Sequence, residues 1–141
     1  MTELDREITS VHELGHAVFA LKHNLRVVSV EVWDNDVSGE CILDRLPNIW
    51  GLFHFKDPMA VLAGFILAGP MVQRIVYPDS KLTPYDLRAL DKYSPKTIAA
   101  AKEKVKKLFG DPAVIEKIKK AAVVLARKGF MTGEEVKEAM K

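Results

Sequence analysis

Apolar residues recur at helical spacing over the first two dozen positions, where Leu4, Ile8, Val11, Gly15, Val18 and Phe19 share one broad face of a helix that runs to about Lys22. Thr2 opens this helix, with Asp5 three residues on as the other half of a capping box. The period then changes. Val28, Val30 and Val32 alternate with Ser29, Glu31 and Trp33, Asp34-Asn35-Asp36 supplies turn chemistry, and an apolar run returns from Val37 to Leu43. Residues 25–45 therefore predict one β-hairpin, the only sheet expected. Leu46 to Lys56, with Pro47 and Gly51, reads as a connecting loop.

Further helix starts are marked by a capping residue followed by proline at Asp57-Pro58, Thr83-Pro84, Ser94-Pro95 and Asp111-Pro112. A short last helix begins at Thr132, with Glu135 completing a capping box, and Gly110 and Gly129 stand where the two helices before it should stop. The apolar run from Met59 to Val72 contains Gly64, Gly69 and Pro70 and is shorter than the roughly 20 residues of a membrane span, so it predicts a core helix. The fold class expected is mostly α, with one small hairpin lying on the helices, because two strands alone are marginal.

A chain of 141 residues suits one domain, with a part formed by residues 1–93 and a C-terminal helical part formed by residues 94–141. Hydrophobic residues at 48% and charged residues at 28% exclude a disordered tail, a collagen-like repeat and a rod. A lone cysteine, Cys41, forms no internal disulfide, and no secretory leader opens the chain, so a reducing, cytoplasmic setting is expected. The net charge of +2 hides an asymmetry: residues 1–95 are acidic, with 9 basic and 13 acidic groups, whereas residues 96–128 carry 10 and 3. Those lysines alternate with apolar residues at helical spacing, which favours a solvated helix face over a nucleic-acid surface.

The chemistry concentrates in His12-Glu13-Leu14-Gly15-His16, inside the first helix. A spacing of four brings both imidazoles to one face, a turn apart, where they can ligate one zinc ion. Glu13 lies beside His12 and can reach a metal-bound water, take its proton as it attacks a peptide carbonyl, and return it to the leaving amine. Gly15 costs helix propensity and signals a close approach. Chance alone gives this spacing in roughly 0.3% of chains of this length.

Two ligands do not hold a catalytic zinc, and the nearby candidates are weak. His23 fails the x-x-Gly-x-x-His continuation, because Phe19 and Lys22 occupy the required positions. Asp34, Asp36 and Glu40 sit in or beside the hairpin, where turn formation and solvent exposure explain them, and His54 reads as a surface histidine. Cys41 reads as a small hydrophobe on the second strand, and Trp33, Trp50, Phe53 and Phe55 as packing residues rather than a substrate groove.

Several segments taken together resemble one known family. They are His12-Glu13-Leu14-Gly15-His16-Ala17, the hairpin with Ser38-Gly39-Glu40, Leu67-Ala68-Gly69-Pro70-Met71-Val72-Gln73, Tyr85-Asp86-Leu87, and Val124 to Gly129 ahead of Thr132-Gly133-Glu134-Glu135-Val136. They are similar to the zinc helix, hairpin, Ala-Gly-Arg-x-Ala-Glu helix, Asn-Asp-hydrophobic helix start and Leu-x-Gly-Glu-Glu-Leu close of the peptidase domain of FtsH-type ATP-dependent zinc metalloproteases. The resemblance covers most of the chain. It implies Asp86 as the third zinc ligand, one zinc per chain, and hydrolysis of flexible or unfolded polypeptides. A helix-capping role for Asp86, three residues after Thr83, competes with that assignment.

Pro70 and Gln73 depart from the family pattern and predict a kink and an altered polar contact near the site. No Gly-x-x-x-x-Gly-Lys-Ser/Thr loop and no transmembrane segment occur in the sequence, so a stand-alone peptidase domain without the ATPase motor and membrane anchor is expected. That leaves room for a separate ATPase or regulatory partner and for a homo-oligomer. The runner-up is a catalytically inactive, zinc-containing peptide-binding or regulatory module. A nucleic-acid binder using residues 96–128 is third.

Overall fold

The protein was analysed as a computed structural model, which describes residues 2–34, 38–81 and 88–141. Helix α1, Glu3–Lys22, begins in the capping box read from the sequence: Asp5 N donates to Thr2 Oγ1 at 3.0 Å and Thr2 N donates to Asp5 Oδ2 at 3.2 Å. From Thr9 to Ala20 every residue of α1 is buried. An amphipathic surface helix would alternate faces, so α1 is instead enclosed, with later helices and the sheet packed around it. It ends at His23, and Asn24 in the left-handed region (φ 58°) turns the chain toward the sheet.

Strands β1, Val27–Val32, and β2, Gly39–Leu43, pair antiparallel with Val30 opposite Cys41. The register shifts between Val27 and Ser29, which turns Val28 out to solvent and Ser29 in, so the simple alternation of valines holds only for Val30 and Val32. A third strand corrects the expectation of a lone hairpin. Strand β3, Phe130–Thr132, pairs antiparallel on the other side of β1, with Val30 opposite Met131, giving the order β2-β1-β3. Three residues are too few to display a period of two, so this strand was silent in the pattern.

Residues 45–52 correct a second expectation, for they form helix α2, Arg45–Leu52, rather than loop. Asn48 fastens it: the buried amide accepts from Arg26 N at 2.5 Å and donates to Arg26 O at 3.1 Å, tying α2 to the chain entering β1. Helix α3, Pro58–Val76, starts at Asp57, whose carboxylate accepts from Ala60 N at 3.1 Å. It runs as one helix across Pro70, which has no N–H to offer the Ile66 carbonyl. By length and composition α3 could cross a membrane; here its buried residues, among them Val61, Gly64, Leu67 and Val72, pack against α1 and the next helix.

Helix α4, Pro95–Phe109, is capped by Ser94, and α5, Pro112–Lys128, is capped by Asp111 and stops at Gly129 in the left-handed region (φ 77°). The final helix α6, Gly133–Ala139, has the reciprocal Thr132–Glu135 capping box. The basic charge of residues 96–128 lies on solvated faces: Lys96, Lys102, Lys106, Lys107, Lys119 and Lys120 are exposed while Ala101, Val105, Ile118 and Leu125 are buried. Leu14, Phe19, Val61, Val105, Ile118 and Leu125 belong to one core cluster. The Thr83-Pro84 start and Tyr85-Asp86-Leu87 lie outside the described residues, as do Asn35 and Asp36.

Candidate metal centre

His12, Glu13 and His16 project from the middle of the enclosed stretch of α1, and all three are buried. One ligand atom from each falls within 4.8 Å of the others, so the group is close enough to hold a metal ion. The two rings meet edge to face, with centroids 4.9 Å apart and planes at 72°. This realises the one-turn spacing of the motif.

Each ring is oriented from α3. His12 Nδ1 lies 2.6 Å from Gln73 Oε1, and His16 Nδ1 lies 2.6 Å from the Phe65 carbonyl oxygen. A carbonyl oxygen only accepts, so His16 Nδ1 carries the hydrogen and, in the neutral ring, Nε2 carries the lone pair. Gln73 imposes the same polarity on His12, because its Nε2 donates to Ser80 Oγ at 3.0 Å and to the Lys81 carbonyl at 2.9 Å, which leaves Oε1 for the imidazole. Metal-ligating histidines characteristically donate their second nitrogen in this way.

Two glycines make this approach of helices possible. A Cβ on Gly15 would overlap Val72 Cγ1 and stand 2.8 Å from the Ala68 carbonyl oxygen, so what approaches closely at Gly15 is the backbone of α3. A Cβ on Gly69 would overlap His16 Nε2 and stand 2.6 and 2.8 Å from Cε1 and Cδ2. Because both flanking carbons are scarcely farther away than Nε2 itself, it is the face of the imidazole, not its edge, that lies against Gly69. The lone pair in the ring plane therefore points along the helix surface rather than into α3.

Glu13 faces the sheet. A Cβ on Gly39 would come within 3.0 Å of Glu13 Cγ and would overlap the Glu31 carbonyl oxygen, so β2 crosses close above the carboxylate stem. The three residues line a hollow of about 840 Å³ bounded by α1, by Ser38 to Cys41 of the β2 edge, by Phe65 and Ile66 of α3, and by Lys81 and Lys92. That is the size of a small-molecule or peptide site.

Of the other described candidates, some lie away from the hollow and two line it. His23 stacks on Phe19 at 4.1 Å, its Nδ1 2.9 Å from the Phe19 carbonyl, and burial, with Lys104 and Lys22 adding to it, pushes its pKa below the ordinary value. His54 is exposed, and Asp34 pairs with Arg6 at 2.5 Å. Glu40 lines the hollow from an exposed position on β2. Cys41 also lines it, and burial, reinforced by Glu13 and Glu40, pushes its thiol pKa far up. Asp36 and Asp86 lie outside the described residues. Trp50 and Phe53 are exposed against each other and do not line the hollow, while Phe55 packs beside the core.

The sequence marked Gln73 as an altered polar contact near the site but not its bond to His12, and it gave no sign of the Phe65 carbonyl or Gly69 as supports. Gln73 had a further signal, since it and Arg74 are the polar residues of an apolar helix and Gln73 is the buried one. A backbone carbonyl has none. Compared with models of known protein families and with curated proteins, the chain matches none.

Proposed function

We propose that this chain is a zinc-dependent metalloendopeptidase acting on flexible or unfolded polypeptides. The observation that carries the reading is the set polarity of the two imidazoles: both donate through Nδ1, so each presents an Nε2 lone pair on the face that also bears Glu13. Two neutral imidazoles with oxygen donors suit zinc, and His12 and His16 would hold it through Nε2. By the family resemblance Asp86 would be the third ligand. When bound, zinc supplies Lewis acidity, lowering the pKa of water to about 7 and polarising a carbonyl.

Glu13 supplies the proton traffic. Its carboxylate takes the proton of the attacking water and delivers it to the departing amine nitrogen, acting as base and then as acid. Burial of the three residues limits competing bulk water, which strengthens electrostatics inside the hollow. Strand β2 is an outer strand of the sheet and borders the hollow, so an extended peptide can add to it as a further strand and lie across Glu13.

The alternative of an inactive zinc-containing module draws its motive from Pro70 and Gln73. Gln73 bonds His12, and Glu13 stands with the histidines, which favours the enzyme. Metal analysis and cleavage of an unstructured protein test the two together. About one zinc per chain is expected in the unaltered protein and in Glu13→Gln, and loss of zinc in His12→Ala. Cleavage should fall by about 10²–10⁴-fold in Glu13→Gln. No zinc after reconstitution would remove the reading, and zinc without cleavage would favour the inactive module.

A further inference from the structure

The amide of Gln73 sits at the centre of a chain of hydrogen bonds whose direction is fixed at its far ends. It is 4% exposed, and all of its bonds are made to protein groups. Ser80 Oγ donates its single proton to the Tyr77 carbonyl at 2.7 Å, and so meets Gln73 Nε2 as an acceptor. The Lys81 carbonyl can only accept the second amide proton. Reversing the amide would set Oε1 against two oxygens, one of which has no proton and the other of which has already spent its own. The orientation of Gln73 is thus decided by residues 77–81, and it in turn decides which nitrogen of His12 carries hydrogen.

The same segment borders the hollow. Ser80 and Lys81 line it together with His12 and Glu13, and Tyr77 N donates to the Gln73 carbonyl at 2.7 Å, so both the backbone and the side chain of Gln73 hold this strap. A carboxylate at position 73 could accept from His12 but could not donate to Lys81. Only a residue with an acceptor and two donors joins the imidazole to the strap.

We propose that Gln73 is a positioning residue that couples the strap of residues 77–81 to His12, so that an intact strap is required for tight binding of a divalent cation by the site. The coupling rests on the metal-site reading above. It requires that a change at Ser80, whose hydroxyl bonds Gln73 Nε2, weaken binding of the metal.

The test uses the full chain, zinc alone as the probe, and three variants: Gln73→Met, Ser80→Ala and Ser80→Thr. In metal-free protein, long-range ¹H–¹⁵N spectra of the imidazoles report the tautomer, and competition against a chelating dye reports zinc affinity. The expected result is a Nδ1–H tautomer of His12 in the unaltered chain and a mixture in Gln73→Met. Zinc affinity should drop about 10–100-fold in Gln73→Met and in the same direction, by at least threefold, in Ser80→Ala. Ser80→Thr, which keeps the hydroxyl, should restore it. A cooperatively folded Gln73→Met with unchanged tautomer and zinc affinity within twofold would overturn the positioning role. Ser80→Ala within twofold of the unaltered chain would overturn the coupling. If the unaltered chain binds no zinc, the metal-site reading fails and the coupling with it, while the tautomer spectra still decide whether Gln73 orients His12.

Discussion

Replacing Gly69 with alanine separates the stability of α3 from the integrity of the site. In a helix interior alanine is favoured over glycine by about 1 kcal/mol. Here the new methyl would overlap His16 Nε2 and lie 2.6 and 2.8 Å from its neighbours, against a normal carbon contact of about 3.5–4.0 Å, so the ring must withdraw by about 1 Å. The ring is held by its 2.6 Å bond to the Phe65 carbonyl, and withdrawal forfeits that bond, about 0.5–1.5 kcal/mol, besides overpacking of about 1–3 kcal/mol. After the helix gain is set against these costs, a net loss of about 1–3 kcal/mol in urea denaturation is expected. Zinc affinity should fall as well, since ligand distances tolerate only about 0.2 Å, and a drop of at least about 100-fold, equivalent to about 2.7 kcal/mol, should appear in competition titration. Gly51, whose Cβ position has nothing within 4 Å, provides the control: Gly51→Ala should leave zinc affinity unchanged. A folded Gly69→Ala that binds zinc as tightly as the unaltered chain would refute the placement of the His16 ring.

Zinc at about one hundred times its dissociation constant should raise the free energy of unfolding by about 2.7 kcal/mol in the unaltered chain, reversibly with chelator, and leave the His12→Ala/His16→Ala double variant unmoved; equal shifts in both would place the metal elsewhere. Gly133→Ala would drive a methyl into the Val27 carbonyl oxygen and should cost at least about 2 kcal/mol, measured by urea denaturation; a cost under about 0.5 would contradict the contact between α6 and β1. His23, buried against Phe19 with its pKa lowered, takes up a proton more readily when unfolded, so its contribution to stability is present above about pH 6.5 and is lost as pH falls toward its folded value. His23→Gln should flatten part of the decline in urea midpoint between pH 7.5 and pH 5, and an unchanged decline would count against the buried neutral ring.

Helix boundaries were readable because capping is local. Thr2, Asp57, Ser94, Asp111 and Thr132 each accept the backbone N–H bond that their sequence context announces. What failed to show depends on distant partners. Strand β3 exists because β1 has a second edge to pair, which no three-residue pattern can express. Helix α2 lacks a side-chain cap bond and is secured by Asn48 to Arg26, twenty-two positions away. The candidate metal-binding group was legible because its three side chains lie within five residues on one helix. Its supports were not, because Gln73, Phe65 and Gly69 meet the histidines through the packing of α3 on α1. Gln73, which stands where the resembled pattern has a carboxylate, also offers His12 a hydrogen-bond acceptor.

On the proposed metal-site reading, the burial of α1 from Thr9 to Ala20 would also fix when, during folding, a metal can be captured tightly. Isolated in water, α1 would offer two imidazoles whose hydrogens wander between nitrogens and whose rings rotate freely. Both restraints arrive with α3, in the Phe65 carbonyl and the Gln73 amide, and the cover over Glu13 arrives with β2. High affinity would therefore belong to the assembled chain, so a zinc-sensitive dye followed through refolding should record the docking of α3 on α1 rather than the coiling of α1 itself.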